Sequence, residues 1–250
     1  MRSAANSFLV AMQFMTRLPV SRRLRHSPDA LAKSAVFFPA IGLLIGLGGA
    51  GLYLLLSPHV SREIVVVLML VYLVAVTGGL HEDALGDAAD GFGGGWEKDE
   101  VLAIMRDSRI GSFGTIAITL GLLARFVFLT NVAPGRFVGF FIAGQVLGRW
   151  TALPLAFFLP SARENEAGQG KLIASKITAV SFGAGTILAF AIAAIALKAA
   201  ALWAALTAAT IAAICGFYCR RRIGGITGDC LGATNQLSEI AIYLMGAVLP

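Results

Sequence analysis

Charged residues are scarce in this sequence. Asp, Glu, Lys and Arg make up 14% of the 250 residues, 57% are hydrophobic, and the mean hydropathy is +0.80. No polar stretch has the length of a soluble domain, so the composition predicts one integral membrane domain over residues 1–250. Strand-like alternation of apolar and polar residues is also lacking, which excludes a membrane β-barrel and favours an all-α helical bundle.

Cysteine is almost as scarce, with only Cys215, Cys219 and Cys230. Three cysteines cannot form a disulfide framework, and Cys215 and Cys219 have no His or Cys nearby in the sequence, so packing is a better interpretation than a metal site. The net charge of +6 comes from short loops and does not indicate nucleic-acid binding. No cleavable signal peptide is predicted, because basic residues follow the apolar run Phe8–Met15 instead of preceding it.

Apolar runs of nearly bilayer length fill most of the chain, which predicts about six to seven transmembrane helices in contact with the lipid bilayer. The six long runs are Ala35–Leu56, Ile64–Leu80, Gly111–Val132, Phe137–Leu159, Thr178–Leu197 and Ala199–Tyr218. A seventh run, Leu237–Leu249, is short for a full span. Near the N-terminus, Phe8–Leu18 is predicted to be an interfacial amphipathic helix.

Connections rich and poor in Lys and Arg alternate along the chain. By the positive-inside rule the rich connections face the cytoplasm, so the loops at about residues 81–110 and 220–239 are expected on the same, cytoplasmic, side. Arg125 and Arg149 fall inside predicted spans and are functional suspects. No acidic residue is expected deep in a span, which argues against a cation pump or proton relay.

Eight of the 14 acidic residues lie between Glu82 and Asp107. Asp83, Asp87 and Asp90 have the spacing i, i+4, i+7, which places three carboxylates on one helix face, where a divalent cation would relieve their repulsion. The helix containing Thr77 is predicted to continue past His81. Glycines are then predicted to break it, namely Gly91 and Gly93–Gly95.

A second helix is predicted to start near Glu97 and to carry Arg106, Asp107, Ser108 and Arg109. Carboxylates beside arginines suit Mg²⁺ together with phosphate, and Gly91 and Gly94 would let backbone approach a ligand closely. A solvated acidic loop is the alternative.

His81 is open to three interpretations: general base, ligand or interfacial residue. The loop that follows Arg220–Arg222 adds Thr227, Asp229 and Asn235, which could wrap a phosphate or add a metal ligand. That signal is weak by itself, and the three arginines are more typical of topology than of binding.

These segments together resemble the cobalamin synthase family, also called adenosylcobinamide-GDP ribazoletransferases. Three motifs show the resemblance. The acidic motif is His81-x-Asp83-x-Leu85-x-Asp87-x-x-Asp90-Gly91, continued by Ile104-Met105-x-Asp107-Ser108-Arg109-x-Gly111. The N-terminal motif is Phe14-Met-Thr16-Arg17-Leu-Pro19, and the C-terminal motif is Gly225-Ile-Thr227-Gly228-Asp229-x-Leu231-Gly232-Ala233. They occur in family order over nearly the whole chain. Glu82, Ala84 and Arg106 depart mildly from the family pattern, and none of these changes removes a carboxylate.

The resemblance implies a Mg²⁺-dependent transferase of the bacterial inner membrane that acts late in cobalamin biosynthesis. It would join α-ribazole, or its 5′-phosphate, to adenosylcobinamide-GDP and release GMP. The predicted metal ligands are Asp83, Asp87 and Asp90, and the predicted catalytic residues are His81 and Asp107. The predicted substrate-binding residues are Arg17, Gly91, Gly94, Arg106, Ser108, Arg109, Thr227, Asp229 and Asn235.

Two alternatives remain at this point. The core Asp87-x-x-Asp90-Gly91 also resembles the start of the CDP-alcohol phosphotransferase motif, although Gly93–Gly95 replaces the residues expected next. A membrane transporter with a metal-binding loop is the other alternative. The sequence leaves the oligomeric state open, with a homo-oligomer as one option.

Overall fold

The computed structural model describes residues 2–20, 28–163 and 177–249, and in these ranges the secondary structure is helical apart from one isolated bridge between Ser161 and Ile226. The first six α-helices are α1 Arg2–Met15, α2 Pro28–Ser34, α3 Phe38–Leu56, α4 Arg62–Thr77, α5 Leu80–Gly94 and α6 Lys98–Ile104. The next six are α7 Ser112–Asn131, α8 Pro134–Trp150, α9 Ala152–Phe158, α10 Ala179–Leu197, α11 Ala201–Ile223 and α12 Gly228–Val248. Short 3₁₀ turns join α2 to α3 and α10 to α11.

The all-α membrane bundle predicted from composition is confirmed. Four helical stretches of the described chain are long and apolar enough to cross a bilayer, and the bent pair α4 and α5 makes a fifth if it is one broken span. This is fewer than the six to seven spans expected. One reason is that α12, which contains most of the seventh predicted run Leu237–Leu249, also carries Asn235, Gln236 and Glu239 and is not among these stretches. The four stretches are Ala30–Leu56, Ser112–Asn131, Pro134–Phe158 and Ala179–Ile223.

The second reason is that the fifth and sixth predicted runs lie in one helical stretch of 45 residues, which counts once although it contains a reversal of the chain. Helix α10 runs antiparallel to α8. Helix α12 is also antiparallel to α8, and α11 is antiparallel to α12, so α11 runs in the same direction as α8. The two halves therefore run in opposite directions, and the chain reverses at Lys198, whose φ is 52°. The contacts that define these directions are Gly139–Ala196, Trp150–Thr186, Thr207–Met245, Cys219–Cys230, Gly144–Tyr243 and Gly148–Asn235.

The chain turns by 86° between α4 and α5. Gly78 and Gly79 make the turn with φ values of 69° and 73°, a left-handed conformation that glycine adopts without steric cost. The predicted continuous helix through Thr77 and His81 is therefore wrong. The turn lets α5 leave the direction of α4 and pack between α7 and α12.

The acidic segment also differs from expectation after its first helix. Gly91 lies inside α5, and the helix ends at Gly94, so Gly91 does not break it. Glu97 begins the next helix as predicted, with a reciprocal capping box to Glu100. That helix is short and ends at Ile104. The predicted placement of residues 106–109 on it is wrong, because they lie in the turn before α7.

The two ends of the bundle differ in charge. At one end α11 meets the acidic segment, where Arg222 Nη2 donates to the Gly95 carbonyl at 2.8 Å. At the opposite end Arg62 donates to the Val132 carbonyl and Arg136 to the Leu249 carbonyl. Of the described basic residues, Lys98, Arg106, Arg109 and Arg220–Arg222 belong to the segments at 81–110 and 220–239, which meet at the first end, whereas Arg62, Arg136 and Lys198 lie at the opposite end.

Small residues let α3 approach α8 closely at Gly42 and Gly46, which are four positions apart on one helix face. A Cβ atom added at Gly42 would lie 2.4 Å from the Gln145 carbonyl oxygen. At Gly51 of the same helix it would meet nothing within 4 Å. The interface between α3 and α8 therefore depends on the missing side chain at Gly42.

We predict that Gly42→Ala destabilises the protein by about 1–3 kcal/mol, because the added methyl group forces two backbones apart. The matched substitution Gly51→Ala should be neutral or mildly stabilising, since alanine favours helix. Thermal unfolding in detergent measures both. Equal melting temperatures for the two variants would contradict the close approach.

Candidate active site

A cavity of about 290 Å³ lies where α5 and the start of α12 meet the end of α1 and the α8–α9 junction. Five residues predicted from the sequence line it: His81, Asp83, Thr227, Asp229 and Asn235. Arg149, a functional suspect from the sequence, also lines it, and the lining residues that the prediction missed include Phe14, Met15, Phe38 and Arg163. The structure thus brings the two predicted loops together in one cavity.

The carboxylates of α5 differ in exposure. Asp83 is exposed, Asp87 is half-buried and Asp90 is buried. The negative charges of Asp83, Asp229 and Asp90 repel that of Asp87, and the positive charge of Arg163 offsets only part of this repulsion. Negative charge from two helices therefore concentrates beside the cavity.

Asp90 has a clear structural contact. Its two carboxylate oxygens accept hydrogen bonds from the backbone N–H groups of Gly111 at 2.7 Å and Gly114 at 2.8 Å. Both glycines leave room for the carboxylate, since a Cβ at either would lie within 2.4 Å of it. Asp90 therefore attaches the start of α7 to α5, a contact favoured by the helix dipole. Its role as a metal ligand stays a prediction.

Asp107 lies at a second cavity, of about 450 Å³, that is also lined by Asp90, Gly94 and Arg109. Arg109 donates to both Asp107 carboxylate oxygens and lowers the pKa of that carboxyl group to about 2. Asp107 is ionised and paired at neutral pH, so it is a weak proton acceptor. The neighbouring Arg106 and Ser108 are exposed in the same turn.

Four predicted substrate-binding residues line neither cavity, namely Arg17, Gly91, Arg106 and Ser108, and neither does the predicted metal ligand Asp87. Gly91 packs on Met105, where an added Cβ would lie 2.5 Å from the Met105 side chain. Arg17 is exposed, its backbone N–H donates to the Val76 carbonyl at 2.7 Å, and its side chain lies against Gly78. Arg17 thus contacts the turn between α4 and α5.

The loop before α12 is held by short-range and long-range contacts. Thr227 caps the helix by accepting from the Cys230 N–H, and its hydroxyl donates to Asp229 at 3.2 Å. The bridge between Ser161 and Ile226 brings Arg163 next to this loop, and the Arg163 guanidinium lies 3.5 Å from Asp229. The sequence offered only one signal for Arg163, its place in a basic connection.

A network of buried charges lies beneath the cavity. Arg125 donates to Glu82 at 2.8 Å and lies 3.9 Å from Glu239, while Arg149 lies 3.4 Å from Glu239. Arg125, Arg149 and Glu239 are each 2% exposed. The sequence predicted no acidic residue deep in a span; the structure buries Glu239 on α12 and half-buries Glu82 on α5, so each buried arginine has a carboxylate partner. Two cations and two anions make the network neutral.

Amide and phenol groups complete this network. Gln145 donates to Glu239 at 2.9 Å and to Tyr243 at 2.8 Å, and Gln236 donates to Glu82 at 3.0 Å. Asn235 donates to Glu239 at 3.0 Å while also lining the cavity. The network therefore connects α5, α7, α8 and α12 and ends at the cavity wall.

Among the described residues, no group of three or more His, Cys, Asp or Glu side chains is arranged to hold a metal ion. Mg²⁺ usually takes one or two carboxylates and completes its shell with water and substrate phosphates. Asp83, Asp87 and Asp229 offer hard oxygen ligands whose mutual repulsion a cation would relieve. The donor set fits a Mg²⁺ that binds together with a phosphate substrate.

Comparison with known proteins gives a consistent result. The model of the family described as cobalamin-5-phosphate synthase matches residues 7–247. The chain belongs to this family. A relative from Shewanella pealeana named adenosylcobinamide-GDP ribazoletransferase is 38% identical, covering 98% of this chain and 95% of its own. Relatives of the same name from Leptospira interrogans and Vibrio vulnificus are 35% and 36% identical, covering 96% and 95% of this chain and 94% of their own. No solved structure matches.

We predict that Glu239→Ala destabilises this cobalamin-5-phosphate synthase family member by about 3–5 kcal/mol, because it leaves the buried Arg149 without its carboxylate partner. The matched control is Glu63→Ala, at an exposed position in the first turn of α4. Unfolding in detergent would be followed for both. A small loss for Glu239→Ala would show that the network contributes little to stability.

Proposed function

We propose that this chain transfers α-ribazole, or α-ribazole 5′-phosphate, to adenosylcobinamide-GDP and releases GMP. The observation that carries the proposal is the shared cavity: the family's acidic motif and its Gly-Asp-x-Leu-Gly-Ala motif come from distant parts of the chain and meet there. The name carried by the relatives supplies the reaction. The cavity is built within one chain, so the proposal requires no second copy.

The cofactor that we propose is Mg²⁺, held by one or two of the carboxylates of Asp83, Asp87 and Asp229 together with phosphate oxygens of adenosylcobinamide-GDP. When bound, it would neutralise charge on the pyrophosphate. Asp90 contributes mainly by fixing α7 against α5, since both of its oxygens already accept backbone N–H groups.

The remaining cavity residues suit an in-line displacement at phosphorus. A ribose hydroxyl of α-ribazole attacks the phosphorus attached to cobinamide, a new P–O bond forms, and the bond to GMP breaks. We assign His81 as the group that takes the hydroxyl proton, since the cavity carboxylates serve the cation. Arg163, at the cavity wall, is placed to hold phosphate oxygens as charge grows on the leaving GMP.

Neither alternative function gains support. The relatives compared here share one enzyme name, and none is named as a CDP-alcohol phosphotransferase or a transporter. The buried carboxylates that a transporter would need exist as Glu82 and Glu239, but both are paired with arginines.

The first test is turnover of purified protein supplied with Mg²⁺, adenosylcobinamide-GDP and α-ribazole. We expect corrinoid product and GMP in equal amounts, and we expect Asp87→Asn and Asp229→Asn each to lower kcat at least about 100-fold, as the loss of a charge-stabilising group does. Asp99→Asn, at an exposed site on α6, is the control and should keep full activity.

Intact protein that forms no corrinoid product would refute the proposed function. Active Asp87→Asn and Asp229→Asn variants would instead refute only the ligand roles.

The proposed location is the bacterial inner membrane, with the cavity facing the cytoplasm. Support comes from the end of the bundle that holds α6 and the arginines at 220–222, since basic residues collect on the cytoplasmic side.

A cysteine at Lys98 should therefore react with a membrane-impermeant reagent only from the cytoplasmic side, in a background without the native cysteines. A cysteine at His59 is the matched control, because His59 is exposed in the α3–α4 connection at the other end. We expect it to react only from outside. The reverse pattern would overturn the orientation.

A further inference from the structure

The cavity has two chemically different walls. The polar wall contains Asp83, Arg163, Thr227, Asp229 and Asn235. A separate part of the lining comes from the end of α1 and the start of α3, where Phe14, Met15 and Phe38 form an apolar wall. We propose that this apolar wall binds the aromatic base of α-ribazole. The inference rests on the proposed function and assigns one of its two substrates to a place in the cavity.

Two stacked rings form the aromatic part of the apolar wall. Phe14 and Phe38 stack with ring centroids 5.8 Å apart and an interplanar angle of 21°. Phe38 and Met15 are buried, whereas Phe14 is only half-buried and lines the cavity. A ring held in this way by a neighbouring ring presents a flat apolar surface, which suits another flat aromatic group.

The N-terminal motif fixes this wall in place. The Thr16 hydroxyl donates to the Met12 carbonyl at 2.7 Å and accepts from the Leu18 N–H at 3.3 Å, which ends α1 directly after Met15. The Arg17 N–H then ties the chain to the end of α4 at Val76. The motif Phe14-Met-Thr16-Arg17 therefore positions Phe14 and Met15 over the cavity, although Arg17 itself does not line it.

The chemistry of the wall selects among the parts of the two substrates. The base of α-ribazole is a dimethylbenzimidazole, a flat bicycle whose outer edge bears two methyl groups. Guanine bears a carbonyl and an amino group on its edge, and burying these without partners is costly. The side chains of the apolar wall offer carbon and sulfur only. The corrin ring is far too large for a cavity of about 290 Å³.

This assignment also orients the nucleophile. With the base on the apolar wall of α1 and α3, the ribose reaches toward Asp83, Thr227 and Asp229, which α5 and the start of α12 contribute to the same cavity. The hydroxyl group that attacks phosphorus is then delivered to the side of the cavity that binds phosphate and cation, and the base contributes binding energy remote from the reacting atoms.

The test compares the KM values for the two substrates in Phe14→Leu. We expect the KM for α-ribazole to rise about tenfold, the size of effect that losing an aromatic contact produces, while the KM for adenosylcobinamide-GDP and kcat stay unchanged. Phe8→Leu is the matched control, because Phe8 lies on the same helix but packs edge-on against Phe37. It should leave both KM values unchanged.

A rise in the KM for adenosylcobinamide-GDP instead of α-ribazole would overturn the assignment, as would unchanged KM values in a folded Phe14→Leu. A second measurement needs only the wild type: the ribosyl benzimidazole that lacks both methyl groups should have a KM about tenfold higher than α-ribazole. Equal KM values would also overturn it. Wild-type turnover of the two natural substrates is measured first, so an inert wild type refutes the proposed function, whereas an active one isolates the subsite.

Discussion

The neutral network formed by Arg125, Arg149, Glu82 and Glu239 is the constraint on which the bundle depends. Each of these charges would be costly to bury alone in an apolar helix bundle, and each is paired. The pairs cross between helices far apart in sequence, so α5, α7, α8 and α12 can be brought together only in a register that matches every charge. Such a network contributes specificity more than net stability, because its Coulombic attraction largely repays desolvation.

The register that the network sets also determines the candidate site. Glu82 precedes Asp83 on α5, and Glu239 follows Asn235 by one helical turn on α12, so each buried carboxylate lies next to a residue of the cavity lining. Arg149 and Asn235 belong to both the network and the cavity lining. Close packing also holds α5 against α12, since Ala84 lies against Gly232, where an added Cβ would be 2.4 Å away.

Much of this was predictable from the sequence, for physical reasons. Long apolar runs and scarce charge specify a membrane bundle, and the i, i+4, i+7 spacing placed Asp83, Asp87 and Asp90 on one helix correctly. The turn at Gly78 and Gly79 was missed because two glycines inside an apolar run do not reveal their φ values. The partners of Arg125 and Arg149 were missed because pairing across 43 and 90 positions depends on tertiary packing, which no local pattern encodes.

The site shows the same division between local chemistry and tertiary arrangement. Composition identifies carboxylates that repel one another, but it cannot distinguish a carboxylate that faces a ligand from one that holds a helix. Asp90 and Asp83 share a helix face by sequence, yet Asp90 binds two backbone N–H groups of α7 whereas Asp83 lines the cavity. One motif therefore combines two tasks: Asp90 joins α5 to α7, and this attachment holds Asp83 and Asp87 opposite Asp229. The acidic motif on α5 therefore forms one side of the site, and the buried network fixes the distance between α5 and α12.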